Sequence, residues 1–433
     1  MPDTTRPVTR NVENSQPRPD AKALVSLVIL SGIVGLNTVD RGMFSLLLPQ
    51  IQQDVPLSDT ALGFLMGPAF VIVYSLAGVP IAWLADRTSR RNIIAAGLAF
   101  WSAATALTGA ASTHLQLLAA RMSLGVGEAS NMAPTSALIG DMFRGRWRVM
   151  AMAVFSAGGP LAIMVFYPLI GSIAAGHGWR FAYPMMGAIG LVVALLTLLV
   201  VREPPRDPAE QKTAAPGGFF RSSLDILKSR AFVLLCAGGV MISINYSAMV
   251  NWLPAFMSRV HGLDANETGA LIGVYKGLVG VAATLAGGVA VSLLMRLDRR
   301  WLAWAPMICA LGMVPAQMLL LLADGKIWWH IGLGLETVCM QGITPALFAL
   351  LITMLDSRVR ATGAALYLLI FNLIGQSAGP YAVGVLNDGL FAAYGNQAVR
   401  YSLLTAPAVA VLGAVLLFVV SLSMAPGKEE PPA

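Results

Sequence analysis

The sequence predicts an all-α membrane protein: twelve transmembrane helices arranged as two pseudo-symmetric six-helix halves. Three observations carry that expectation. Only 12% of residues are charged and 56% are hydrophobic, whereas a soluble chain carries roughly 25% charged residues. Apolar runs of bilayer length recur along the chain. Short motifs also return 212 and 220 residues after their first appearance.

A crossing takes about 20 mostly apolar residues. Breaks at charges and at Pro/Gly clusters give spans at 23–48, 60–84, 92–111, 115–139, 149–173, 180–201, 231–256, 267–294, 301–322, 329–354, 361–386 and 399–423. Residues 1–22 then form a polar tail, 23–201 the first half, 202–230 a linker, 231–423 the second half and 424–433 a second tail. The linker is marked by its Pro, Gly and charge content. The first apolar run is followed by no small-residue cleavage site, so it reads as a retained helix rather than a signal peptide.

The repeat sits in matching places. "LADRTSRR" (84–91) follows the second span and "RLDRR" (296–300) follows the eighth, with Asp86 and Asp298 in register. "FSAGGP" ends at Pro160 in the fifth span and "GQSAGP" at Pro380 in the eleventh. Pro inside a helix frees a carbonyl and bends the axis, so matched kinks are expected there. Two parallel six-span halves are an architecture of secondary transporters, which bind substrate between the halves near the midplane.

Orientation follows from the basic residues in the connections. Twenty-two Lys and Arg residues fall on the side of the termini and four (Arg180, Arg259, Lys326, Arg400) on the other. Both termini are therefore expected in the cytoplasm, in a bacterial inner membrane. The same topology accounts for the pI near 9.5 without nucleic acid as a partner. Cys236, Cys309 and Cys339 lie in apolar runs with no metal or disulfide spacing and read as packing residues.

Several classes are disfavoured by what the sequence lacks. It has no G-x-x-x-x-G-K-[ST] segment for nucleotide hydrolysis, no H-E-x-x-H and no acidic metal site, and its four histidines (His114, His177, His261, His330) all fall at the face opposite the termini. An enzyme, a metal site and a cofactor are not expected, and a channel has no need of two kinked halves.

"AWLADRTSRRN" (82–92) resembles the signature loop of the major facilitator superfamily, with Asp86, Arg87, Arg90 and Arg91 fitting the pattern. Ala82 and Ser89 stand where that pattern usually has Gly, which puts the close helix approach there in doubt. "ARMSLGVGEA" (120–129) resembles the helix 4 motif of the same superfamily. "TVDRGMFSLLLPQI", "RMSLGVGEASNMAPTSALIGDMF" (121–143) and "RATGAALYLLIFNLIGQSAGP" (360–380) resemble the spinster branch. The resemblance implies the major facilitator fold, a monomer, and alternating-access, proton-linked transport of lysolipids or sphingoid phosphates. It also implies that Asp86, with Arg87, Arg90 and Arg91, forms a cytoplasmic gate that caps a facing helix end. The alternative within transport is proton-coupled symport of small organic anions such as sugar acids. A small anion favours a compact polar cavity, and a lipid needs an apolar one open to the bilayer.

Six charged residues fall at bilayer depth: Asp40, Arg41, Arg121, Glu128, Lys276 and Glu336. Each costs about 2.5–3.5 kcal/mol even on a lenient scale, and such residues usually face a partner or a cavity. With a rise of about 1.5 Å per residue, Asp40 and Arg121 come level on the first and fourth spans, which makes an ion pair between them feasible. Arg41 is turned about 100° from Asp40, so one faces the fourth span while the other reaches toward Glu128 or an anionic ligand. Arg121 and Glu128, two turns apart, project from one face, with Gly125 and Gly127 between them.

A carboxylate gives up its proton readily beside Arg and holds it when left alone in low dielectric. Asp40 and Glu128 are therefore the expected proton-coupling acids, and Arg41 and Arg121 the expected substrate or network cations. The coupling ion is read as a proton, with sodium still open. A fixed set of ions that only orders helix packing is the plainer alternative. Lys276 and Glu336 lie at similar depth, are expected to pair in the second half, and join Arg41 and Arg121 as substrate-binding or charge-network residues. Asn37, Tyr74, Asn245, Tyr246, Asn251, Trp252, Tyr367 and Asn372 are candidates for cavity lining.

Overall fold

The computed structural model describes residues 19–204, 223, 225–355, 360–422 and 424. Both expected tails in large part, the middle of the expected linker and Arg358 lie outside the described residues. Among those described, the regular structure is helical and forms twelve rods. The first six are α1 (Ala21–Asp54), α2 (Asp59–Met66 continued by Pro68–Arg87), α3 (Arg90–Thr108), α4 (His114–Glu128 continued by Met132–Met142), α5 (Arg146–His177) and α6 (Trp179–Val200). The second six are α7 (Arg230–His261), α8 (Ala265–Met295), α9 (Trp301–Leu322), α10 (Lys326–Met354), α11 (Arg360–Ile370 running through Ser377–Tyr394) and α12 (Ala398–Leu403 continued by Thr405–Leu422).

Nine stretches among the described residues are long and apolar enough to cross a membrane, and one of them, Thr362–Leu422, holds both α11 and α12. The rods outside this set are α3 and α4. α3 opens on Arg90, Arg91 and Asn92, and α4 is cut by the turn at 129–131 into pieces too short for a crossing.

Local chemistry fixes where the rods begin. Asp20 accepts from Ala23 N at 2.8 Å and Ser58 from Ala61 N at 3.2 Å, each satisfying an orphan donor of a first turn. Thr113 with Gln116, and Asp264 with Glu267, form reciprocal capping boxes at α4 and α8. The α7 helix ends at Gly262, whose φ of +71° suits glycine.

Packing repeats between the halves. α1 lies on α5 as α7 lies on α11, α3 on α6 as α9 on α12, and α2 on α4 as α8 on α10. The halves meet through α2 with α11 and α5 with α8, again an equivalent pair of contacts. The fifth span is not interrupted at Pro160: α5 is helical from Arg146 to His177. Its Gly158 serves a close crossing instead, since a Cβ there would stand 2.2 Å from Ser31 O of α1. Gly379 of α11 does the same against α7, where a Cβ would lie 2.5 Å from Ile244 O. Small residues at such crossings let backbones approach without a hydrophobic drive between helices.

The cross-half contacts gather at the end of the bundle away from the chain termini. A Cβ on Gly63 would meet Pro380 O at 2.4 Å, one on Gly384 Asp59 O at 2.2 Å, and one on Gly171 Ala265 O at 2.3 Å. Charge closes the same end. Arg259 on α7 grips both Asp59 oxygens at 2.5 and 2.7 Å and Gln52 Oε1 at 2.8 Å. Asp388 on α11 accepts from Asp59 N at 3.0 Å and Thr60 N at 2.8 Å, at the start of α2.

Candidate functional site

Below that seal, between the halves, lies a cavity of about 290 Å³. Its wall draws on α1 (Val34, Thr38, Gly42), α4 (Met132), α5 (Phe155, Ser156, Gly159, Ile163, Tyr167), α7 (Tyr246, Val250, Leu253), α8 (Ile272, Lys276) and α10 (Met340, Gln341). The wall is largely apolar, with hydroxyl and amide groups at intervals and one charged residue, Lys276.

The buried charges of the first half form one cluster beside it. Arg41 Nε donates to Glu128 Oε2 at 2.7 Å, and Glu128 is fully buried. The Arg41 guanidinium also lies over Phe70 at 4.8 Å and Tyr74 at 4.6 Å, two rings stacked on each other. Asn37, nearly buried, adjoins Glu128 one turn before Arg41. Gly125 and Gly127 admit neighbouring backbone: a Cβ on the first would lie 2.8 Å from Phe70 O, and one on the second 2.6 Å from Trp101 Cβ.

Asp40 turns the other way, toward α3, α4 and α6. It borders a small void with Thr105, Thr108, Arg121, Leu124 and Tyr183. The expected Asp40–Arg121 ion pair does not form; Arg121 Nε donates instead to Leu65 O of α2 at 3.1 Å. The Arg121 guanidinium also sits over Phe44 at 5.1 Å and Phe70 at 5.5 Å. Trp101 Nε1 and Thr105 Oγ1 stand beside the Asp40 carboxyl without reaching hydrogen-bond geometry, and Asp40 Oδ1 is buried with no partner.

In the second half Lys276 Nζ pairs with Glu336 Oε2, joining α8 to α10. Glu336 is 1% exposed and its Oε1 is buried without a partner. Lys276 stands on a π-helical turn, Gly273–Val279, that interrupts α8.

The eight lining candidates divide. Tyr246 is on the cavity wall. Tyr74 is half-buried beneath Arg41. Asn251 accepts from Ser45 Oγ at 3.0 Å, a bond between the halves. Asn245 is fully buried and donates to Gln317 Oε1 and Ala406 O, while Gln317 donates back at 3.1 Å, so it clamps α7 to α9 and α12. Trp252, also fully buried, donates to Pro380 O at 2.9 Å. Tyr367 is packed in the second-half core against Phe371, and Asn372 donates to Leu368 O of its own helix. Polar identity alone does not separate a lining residue from a packing one. Cavity-wall residues that sequence reasoning missed are Thr38, Ser156, Tyr167 and Gln341; for Thr38 and Ser156 a short polar side chain beside the α1–α5 glycine seam was the available signal.

In the α2–α3 connection, Arg90 bridges Asp141 of α4 at 2.5 Å and Asp86 at 3.3 Å. Glu203 accepts from Ser89 Oγ and from Arg90 N, the latter at 2.7 Å, at the start of α3. Arg87 covers the Trp83 ring at 4.1 Å and Arg91 reaches only Asn92. Apart from those of Glu203, which opens the linker, the contacts named here lie within the first half.

The family model of the Major Facilitator Superfamily matches residues 30–380. The chain belongs to that superfamily. An MFS-type efflux pump of Mycolicibacterium smegmatis is 32% identical over 406 residues, covering 92% of this chain and 93% of the pump. The sphingosine-1-phosphate transporter SPNS2 of Danio rerio is 26% identical, covering 92% of this chain and 84% of that one. Among solved structures, a bacterial homolog of the human lysosomal transporter spinster, inward-facing and unoccupied, superposes with a TM-score of 0.80. It is 24% identical over 94% of this chain and 98% of its own, a likeness of fold. Within the superfamily the chain is thus most like the spinster branch, and it is a multi-pass membrane transporter.

Proposed function

We propose that the chain is a proton-coupled secondary active transporter of an anionic or zwitterionic amphiphile, resembling a lysolipid or a sphingoid phosphate. The observation that carries this reading is the cavity between the halves: a largely apolar wall with a charge at its edge. A sugar acid or similar small anion has no long apolar part, and most of this wall is apolar. The names of the relatives, an efflux pump and a sphingosine-1-phosphate transporter, point the same way.

Coupling is assigned to Asp40 and Glu128. Both are buried carboxylates in the first half, and one is neutralised by Arg41 while the other has no ion partner. Proton movement between such sites can follow substrate-driven shifts of the arginines, with Arg121 close to Asp40. In a bacterial inner membrane with both termini in the cytoplasm, the sealed end faces outward and the cavity faces inward. Alternating access then requires the far-end seal to part while the α2–α3 connection, with Asp86, Arg87, Arg90 and Arg91, engages the opposite half. Residues 202–230 tether the halves on the cytoplasmic side, and one chain suffices for the cycle.

The test is flux in liposomes with and without a pH gradient, beside counterflow of labelled substrate. Asp40→Asn fixes a neutral side chain at that site. It is expected to abolish gradient-driven net transport and to leave substrate-for-substrate exchange intact. An Asp40→Asn protein that still concentrates substrate would reduce Asp40 to a packing residue.

A further inference from the structure

We propose that Lys276 is the cation that receives the substrate's anionic head group, and that Glu336 is the internal anion the head group competes with. The inference deepens the reading above and rests on the cavity being the substrate site.

Lys276 is the one charged residue on the cavity wall among the described residues. Its partner Glu336 stands behind it on α10, almost fully buried, and does not line the cavity. A ligand anion can therefore approach the ammonium from the open side while Glu336 holds it from the closed side. An ammonium has three rotatable donors on a flexible stem, so it can turn from one acceptor to another. The π-helical turn at Gly273–Val279 is consistent with this use, since such single-turn bulges are frequent at functional sites.

Arg41 is differently placed. It is 28% exposed, but its guanidinium is bonded to Glu128 and lies on two aromatic rings, and it is not on the cavity wall. Drawing it away would break three contacts, whereas Lys276 has one ion pair among the described residues and can keep Glu336 behind it while a ligand anion approaches from the cavity. The remaining wall suits the rest of an amphiphile: Phe155, Ile163, Val250, Leu253 and Ile272 for a chain, with Tyr246 and Gln341 to hydrogen-bond the head. Tyr246 is within electrostatic reach of both Glu336 and Arg41.

The experiment measures binding to the purified full chain in detergent by scintillation proximity. One probe is a radiolabelled monoacyl glycerophosphate and the other a neutral monoacylglycerol with the same acyl chain. Lys276→Gln is expected to weaken the anionic probe about tenfold or more, the scale of one lost charged hydrogen bond, and to leave the neutral probe unchanged. Lys276→Arg should retain most of the affinity, and Glu336→Gln should tighten the anionic probe several-fold. Lys276→Gln combined with Glu336→Gln buries no unpaired charge, so it keeps the test valid if a single variant folds poorly, and it should show the loss of Lys276→Gln alone. Wild-type affinity in the Lys276→Gln variants, an equal loss for both probes, or weaker anionic binding in Glu336→Gln overturns the assignment while the amphiphile reading stands. A wild-type protein that binds neither probe overturns both.

Discussion

Arg41 and Glu128 show how tightly one residue can be committed inside a membrane protein. Glu128 is fully buried and its ionised form is balanced by the guanidinium 2.7 Å away. Removing one partner of a buried pair leaves an uncompensated charge and costs about 3–5 kcal/mol, whereas removing both is often close to neutral. Arg41→Ala is therefore expected to lower the thermal unfolding midpoint in detergent strongly, and Arg41→Ala with Glu128→Gln should recover most of the loss. If the double variant is no more stable than the single, the pair does not balance as described. The neighbouring residue marks the limit of what the sequence reveals. The 100° step between Asp40 and Arg41 was enough to send them to different neighbours. Equal depth was not enough to pair Asp40 with Arg121, because depth carries no direction and the Leu65 carbonyl that takes Arg121 has no signature in composition. The same holds for Asn245, whose partner Gln317 on α9 is what makes it a clamp rather than a lining residue.

At the scale of elements, the far-end latch decides which side of the bundle is shut. Arg259, Asp59, Gln52 and Asp388 bring α7, α1, α2 and α11 to one point, and both members of the central pair are shielded from solvent. A shielded, bidentate Arg–carboxylate contact is worth about 2 kcal/mol, which is about thirtyfold in a two-state equilibrium. Arg259→Gln should accordingly populate the far-end-open state. Leu253→Cys, on the cavity wall, should then react faster with a membrane-impermeant maleimide added to whole cells. Unchanged labelling in Arg259→Gln would leave closure to the glycine seams alone. The rods themselves were legible from apolar run length, whereas the caps at Ser58, Thr113 and Asp264 emerge from the structure. The break after Glu128 and the π-helical turns in α8 and α11 were not legible either. Hydropathy reports what a residue faces, and these features are changes in which carbonyl each N–H finds.

The whole molecule reads as one six-helix unit used twice, and the sidedness proposed above rests on charge, since cytoplasmic connections carry an excess of Lys and Arg. Three of the four on the far side are also tied to acids: Arg180 to Asp54, Arg259 to Asp59 and Arg400 to Asp324. Those pairs leave little free positive charge to oppose the excess at the other end. The folded arrangement makes the orientation testable at two exposed positions, Lys228 before α7 and Gly325 before α10. Cys236 is buried and Cys309 and Cys339 are half-buried, all three unpaired, and they are replaced by Ala to give a silent background. Lys228→Cys should then resist an impermeant maleimide in intact cells and react after permeabilisation, while Gly325→Cys should react at once. An odd number of crossings separates the two positions, because α7, α8 and α9 lie between them. Labelling of both from the same side would therefore remove a crossing from the second half and with it the equivalence of the halves. Reversed labelling would keep the fold and turn the cavity to face outward.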